Sequence, residues 1–98
     1  GMPALDGEQI KEFMLQLSSD WNVSSDNKLI YKIFHFKTYK NTIAFVNLIA
    51  QVAEQERHHP DLGVHYGKVV VNFTTHAVDG LTENDFICAS KIEQLQQS

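Results

Sequence analysis

The sequence predicts an α+β domain with the order α-β-β-α-β-β-α: a four-stranded antiparallel sheet with its helices packed on one face. Three observations predict it. Two runs, Leu29–Lys37 and Val69–Thr75, are rich in the β-branched and aromatic residues that suit a pleated, half-buried surface. Two other stretches, Asp6–Ser18 and Thr42–Arg57, repeat apolar residues at helical spacing. The strands arrive in pairs separated by short turn signals, so they join as hairpins and the helices gather on one side.

In the first helix Leu5, Ile10, Phe13, Met14 and Leu17 recur on one side, with Glu8, Lys11 and Glu12 on the other. Asp6 followed three residues later by Gln9 has the spacing of a capping box. Trp21–Val23 reads as a short strand, and Ser24-Ser25-Asp26-Asn27 as the turn into the next one. Leu29–Lys37 is partly apolar on both faces: Leu29, Tyr31 and Ile33 on one, Ile30, Phe34 and Phe36 on the other. One face needs helices; the other points to a partner subunit or to exposed aromatics. Phe45, Ile49 and Val52 line one stripe of the second helix, widened by Val46 and Ala53. Pro60 disfavours helical geometry at His59, so this helix ends near Arg57 or His58. Asp61-Leu62-Gly63 reads as a turn, Val64–Tyr66 as a short strand and Gly67-Lys68 as a tight turn. The strand Val69–Thr75 alternates, with Val69, Val71 and Phe73 on one face. Thr82 opens the last helix, with Asp85 at capping-box spacing, and Asp85, Cys88, Ile92 and Leu95 share a face.

Length and composition bound the function. Ninety-eight residues, 43% hydrophobic and 20% charged, make one domain over 1–98. Gly1 stands ahead of Met2 and is read as an expression remnant. A net charge of −4 argues against direct nucleic-acid binding, and no apolar run is long enough to span a membrane. The single cysteine, Cys88, excludes an internal disulfide framework and thiolate-rich metal sites, and implies a reducing, cytoplasmic setting. Asp6, Glu8, Lys11 and Glu12 interrupt the first twenty residues, so no signal peptide is expected there.

Five histidines are out of proportion, and four of them fall between positions 58 and 76. Glu54 and His58 are four apart at a helix end and so share a face. His59 points elsewhere, and His76 directly follows a strand, where the hairpin brings it back toward the Pro60 turn. Asp85 lies in the first turn of the last helix, where the helix dipole favours a carboxylate. Three chemistries compete for this set. Imidazoles that titrate near neutrality suit paired acid and base work. Glu54, His58 and His76 count as three ligands for a metal-dependent hydrolase, although the spacing is not that of a zinc protease helix. Alternatively, the histidines decorate a helix C-terminus and Glu54–His58 is a surface pair.

The run Glu54-Gln-Glu-Arg-His58-His59-Pro60, then Tyr66, His76 and Asp85, resembles the signature of the pterin-4a-carbinolamine dehydratases. Phe34-His35-Phe36-Lys37-Thr38-Tyr39, Thr74-Thr75-His76 and Gly80-Leu81-Thr82-Glu83-Asn84-Asp85 extend the similarity, which spans roughly Trp21 to Leu95. The resemblance implies a hydro-lyase that dehydrates 4a-hydroxytetrahydropterin to quinonoid dihydropterin in tetrahydrobiopterin recycling, without metal or organic cofactor. It implies His58, His59 and His76 as catalytic residues, His76 and His58 forming the acid–base pair. Glu54, Asp85 and Tyr66 are implied as supporting or substrate-binding residues. It further implies a homodimer or homotetramer. The implied protein partners are a hydroxylase that supplies substrate and, as in some relatives, a homeodomain transcription factor for which the protein is a dimerisation cofactor. The chain departs from the pattern at Arg57, where many members are acidic, and at Asp61-Leu62, where many carry an acidic residue and an aromatic. His35 and His65 match no functional position.

Overall fold

A computed structural model describes residues 3–95. The first helix, α1 (Gly7–Met14), starts at the predicted box: the Asp6 carboxylate accepts from the Gln9 N–H and the Gln9 amide oxygen accepts from the Asp6 N–H, both at 2.9 Å. It stops before Ser18. Beyond Met14 two tight turns, Gln16 N–H to Phe13 and Leu17 N–H to Met14, carry Leu17 into the core and leave Leu15 outside. The strands are β1 (Asn22–Val23), β2 (Ile30–His35), β3 (Asp61–Val64) and β4 (Lys68–Phe73), in the spatial order β1-β2-β4-β3 with every pairing antiparallel. Two hairpins therefore meet along β2–β4, from Ile30 opposite Phe73 to His35 opposite Lys68. The connection between them is α2 (Tyr39–Glu56); α3 (Glu83–Leu95) follows a 3₁₀ turn at His76–Val78. The architecture is the α+β arrangement that the periodicities predict.

Alternation places Ile30 and Phe34 of β2, and Val69, Val71 and Phe73 of β4, on the face that the helices cover. Ile10, Phe45, Ile49, Phe86, Ala89 and Ile92 meet them from the helices, and Trp21 sits edge-on to Phe34. Each large side chain removed from water contributes roughly 1.5–3 kcal/mol. Lys32 shares this inward face: its stem is buried, and its ammonium lies 4.6 Å above the Phe34 ring and 3.5 Å from the Ser18 hydroxyl. Ile33, on the opposite face, is 42% exposed, so the second apolar face of β2 meets no helix. Among the described residues no helix is long and apolar enough to cross a membrane.

Two further boundaries differ from expectation. The helix expected from Thr42 begins at Tyr39, because Thr38 is its cap and accepts from the Asn41 N–H at 3.1 Å. Thr42 lies fully buried in the first turn, where its hydroxyl reaches the carbonyls of Thr38 and Tyr66. The third strand occupies Asp61–Val64 rather than Val64–Tyr66, so Asp61-Leu62-Gly63 is strand and not turn. Its edge position tolerates Pro60 just before it. The reversal moves to His65–Gly67, where the Gly67 carbonyl accepts from the Phe36 N–H at 2.8 Å. A Cβ on Gly67 would sit 3.0 Å from the Phe36 carbonyl oxygen, so the close approach needs glycine.

Helix α2 ends at Arg57, whose left-handed backbone (φ 53°, ψ 39°) turns the chain sharply. The N–H groups of Arg57 and His58 both donate to the Ala53 carbonyl, and this closure delivers His58 and His59 to the end of the sheet. The left-handed conformation costs an L-residue about 1–2 kcal/mol. Arg57→Gly is therefore expected to stabilise the fold by up to about 1 kcal/mol, net of the entropy glycine adds to the unfolded chain. A higher urea midpoint at unchanged slope is the measurement that checks it.

Candidate active site

The site is assembled at one end of the sheet, where α2 finishes, β4 finishes and α3 begins. Asp61 pairs with Asn72, so the chain leaving α2 through His58, His59 and Pro60 enters β3 beside the last residues of β4. There the His58 ring lies almost parallel to Phe73, with centroids 5.9 Å apart and planes 7° from parallel. One ring face is thus fixed by packing, and 13% of the side chain reaches solvent.

Across the ring stands Asp85, which is completely buried. Its Oδ1 lies 2.5 Å from His58 Nε2. Its Oδ2 accepts from the Thr75 hydroxyl at 2.8 Å and from the Thr82 N–H at 2.9 Å. The bond from Thr82 N–H is one half of the predicted capping box. The other half is replaced: the Thr82 hydroxyl turns to Thr75 Oγ1 at 2.9 Å. A carboxylate removed from water needs such a complete set of donors, and the N-terminal turn of α3 adds favourable peptide dipoles. A carboxylate accepting at Oδ1 assigns the imidazole proton to Nε2 and leaves Nδ1 with its lone pair.

His76 follows Thr75 directly and opens the exposed 3₁₀ turn. That turn is strapped to the β1–β2 loop: Lys28 pairs with Asp79 at 2.8 Å, and the Thr74 hydroxyl donates to the Lys28 carbonyl at 2.6 Å. His59 is exposed, and its Nε2 lies 3.7 Å from the Glu54 carboxylate.

Two expected members take other places. Glu54 stands beside His59, while the carboxylate that holds His58 is Asp85; the left-handed turn at Arg57 removes His58 from the helical face that Glu54 shares with position 58 in an unbroken helix. Tyr66 lies at the opposite end of the β3–β4 hairpin, 70% exposed and stacked on Tyr39 with centroids 6.1 Å apart. The antiparallel register forces this separation, since the hairpin turn and the strand ends lie at opposite edges of the sheet. Thr75 and Thr82 were not among the expected site residues. The sequence signals for them are the segments Thr74-Thr75-His76 and Gly80–Asp85 of the resemblance and the cap spacing of Thr82. Among the described residues no three His, Cys, Asp or Glu side chains are arranged to hold one metal ion.

The family model for pterin 4 alpha carbinolamine dehydratase matches residues 3–95. The chain belongs to this family. A relative from Legionella pneumophila, named as a putative pterin-4-alpha-carbinolamine dehydratase, is 53% identical over 92 residues, covering 94% of this chain and 81% of its own. A solved structure from Brucella melitensis, described as a transcriptional coactivator/pterin dehydratase, superposes with a TM-score of 0.87 at 28% identity, covering 94% of this chain and 97% of its own. A pterin dehydratase-like protein described as a RuBisCO assembly factor in the alpha-carboxysome shares the fold, with a TM-score of 0.70 at 21% identity and 83% and 94% coverage. The dehydratases among these relatives are named for a hydro-lyase reaction, and the buried His58–Asp85 pair sits within the matched region.

Cys88 lies under the site, fully buried, with its thiol 4.0 Å from the His58 carbonyl. Burial, reinforced by the negative charges of Glu56 and Asp85, pushes the thiol up from 9.0 to about 11. In the unfolded chain the thiol ionises first. Between those two values the folded state holds the extra proton, so stability falls as pH rises through that window. Cys88→Ala is expected to flatten this alkaline loss, and urea midpoints measured between pH 9 and 11 in parallel with wild type check it.

Proposed function

We propose that this chain dehydrates 4a-hydroxytetrahydropterin to quinonoid dihydropterin and water, as a step of tetrahydrobiopterin recycling. The observation that carries the reading is the His58–Asp85 pair at the mouth of the sheet, with His59 and His76 on the segments next to it. In this reaction the C4a–O bond breaks as the hydroxyl takes a proton and departs as water, and the N5–H bond gives its electron pair to the new C4a–N5 double bond. One acid and one base are required. His58 supplies the base: Asp85 occupies Nε2, so Nδ1 receives the N5 proton, and the adjacent carboxylate stabilises the imidazolium that forms. His76 supplies the acid, from an exposed turn that a planar substrate can reach. His59 assists in binding, with Glu54 beside it. The two histidines end the turnover with exchanged protonation states and reset through solvent. Tyr66, at the far end of the hairpin, has no part in this scheme.

Removing either partner of an acid–base pair typically costs about 10²–10⁴-fold in rate. His58→Ala and His76→Ala are each expected to lower kcat by about 10²-fold or more, and His59→Ala to act mainly on KM. The measurement is absorbance of quinonoid formation from 4a-hydroxytetrahydropterin generated by a hydroxylase. Equal rates for wild type and His76→Ala would overturn the proposal.

A protein-binding role is the second reading, favoured by the Brucella melitensis neighbour described as a coactivator as well as a dehydratase. It comes with self-association. Ile33 on the bare face of the sheet and Leu48 on α2 are exposed, and a chain of 98 residues gains from covering them. A homodimer or homotetramer is expected in sedimentation at micromolar concentration; a monomer there would overturn this part of the reading.

A further inference from the structure

We propose that Thr75 and Thr82 are positioning residues that hold Asp85 with Oδ1 aimed at His58, so that the carboxylate fixes the place of that ring and of its proton. The argument is a proton count. Thr75 has one hydroxyl proton and donates it to Asp85 Oδ2 at 2.8 Å. Its oxygen can then only accept from the Thr82 hydroxyl 2.9 Å away, so Thr82 is the donor of that pair. The backbone N–H of Thr82 is the second donor to the same Oδ2. Three hydrogen bonds therefore run in one direction, from Thr82 to Thr75 to Asp85 and from Thr82 N–H to Asp85. The two that end on Oδ2 leave Oδ1 as the oxygen aimed at His58.

This geometry is enclosed. Asp85 has no exposed surface, and every buried side-chain polar atom among the described residues has a partner. No water is needed to complete the set, and none can substitute without opening it. The carboxylate cannot turn about its last bond without giving up both donors at Oδ2. His58 in turn is clamped between Phe73 and Asp85, so with Oδ1 an obligate acceptor its proton sits on Nε2. Nδ1 has no hydrogen-bond partner among the described residues and is the nitrogen available to take a proton from a substrate. The hydroxyl chain also joins the end of β4 to the start of α3, so it sets the spacing of the segments that carry His76 and Asp85. The kinetic consequence rests on the reading of His58 as the base; the tautomer itself does not.

The test is long-range ¹H–¹⁵N correlation spectroscopy of the histidine rings in the 98-residue chain, at an alkaline pH at which the His58 ring shows a single proton. Wild type is expected to show the Nε2–H pattern for His58; an Nδ1–H pattern overturns the proposal outright. Thr75→Val is expected to keep the Nε2–H form, because either oxygen of the carboxylate only accepts, but to move the His58 Nε2–H proton upfield as that hydrogen bond loosens, and Thr75→Ser to restore the wild-type position. In the dehydratase assay Thr75→Val should lower kcat about five- to tenfold, the worth of one hydrogen bond, with KM changed much less and with recovery in Thr75→Ser. A folded Thr75→Val whose His58 Nε2–H signal stands at the wild-type position overturns the proposal. If that variant does not fold, Asp85→Asn decides. The donors of Thr75 and Thr82 hold the amide oxygen, so the amide nitrogen faces His58 and drives it to Nδ1–H; a retained Nε2–H overturns the proposal. Changes in the His58 ring signals as expected, in a protein that does not turn over the pterin, would refute the proposed activity and leave the positioning role standing.

Discussion

A single buried carboxylate organises this structure. Asp85 is shut off from solvent, and an uncompensated charge in such a place costs several kcal/mol. Its donors come from three separate parts of the chain: His58 just past α2, Thr75 just past β4, and Thr82 just ahead of α3. Satisfying one side chain therefore pins three segment ends to each other. Removing any donor leaves the carboxylate short, so the cost of a faulty assembly falls on the site itself. The same arrangement that keeps the fold from leaving a charge unpaired gives His58 a defined proton position.

The sheet explains why those ends coincide. The helix that leaves β2 must return to a strand antiparallel to β4, and the register brings Asp61 opposite Asn72. The four residues that link α2 to β3 then lie beside the four that follow β4. Arg57 accepts an unfavourable left-handed backbone at this corner, and the two N–H groups captured by the Ala53 carbonyl offset part of that cost. Aromatic packing does the rest, because Phe73 is fixed at the end of β4 inside the core and offers a flat surface to His58. The side chains of the candidate site, on short connections, are thus held by rigid elements on either side.

Much of this was legible from residue patterns. The alternation of Val69, Val71 and Phe73 and the stripe of Phe45, Ile49 and Val52 read as core, and they are core. Asp6 and Gln9 read as a capping box and form one. Local rules failed where a tertiary contact competed with them. Asp61-Leu62-Gly63 carries turn-forming residues, yet pairing with β4 makes it a strand, since unpaired backbone beside an open edge has a partner waiting. Thr42 looked like a helix start, but its hydroxyl is drawn into the core contact with Tyr66 and the cap moves to Thr38. Glu54 and His58 have the spacing of neighbours on a helix, and the turn at Arg57 breaks that helix between them.

The sequence by itself determined the fold class, the family, the identity of the inward-facing residues and the presence of an unusual set of histidines. These follow from periodicity, composition and motif spacing, which are properties of neighbours along the chain. Only the tertiary structure decided which carboxylate serves His58, that Thr75 and Thr82 complete its shell, and that Tyr66 stands apart. Those assignments depend on strand register and on the direction of a single left-handed residue. Contacts between positions 58, 75, 82 and 85 are made across three elements, and no local pattern encodes the distance between them.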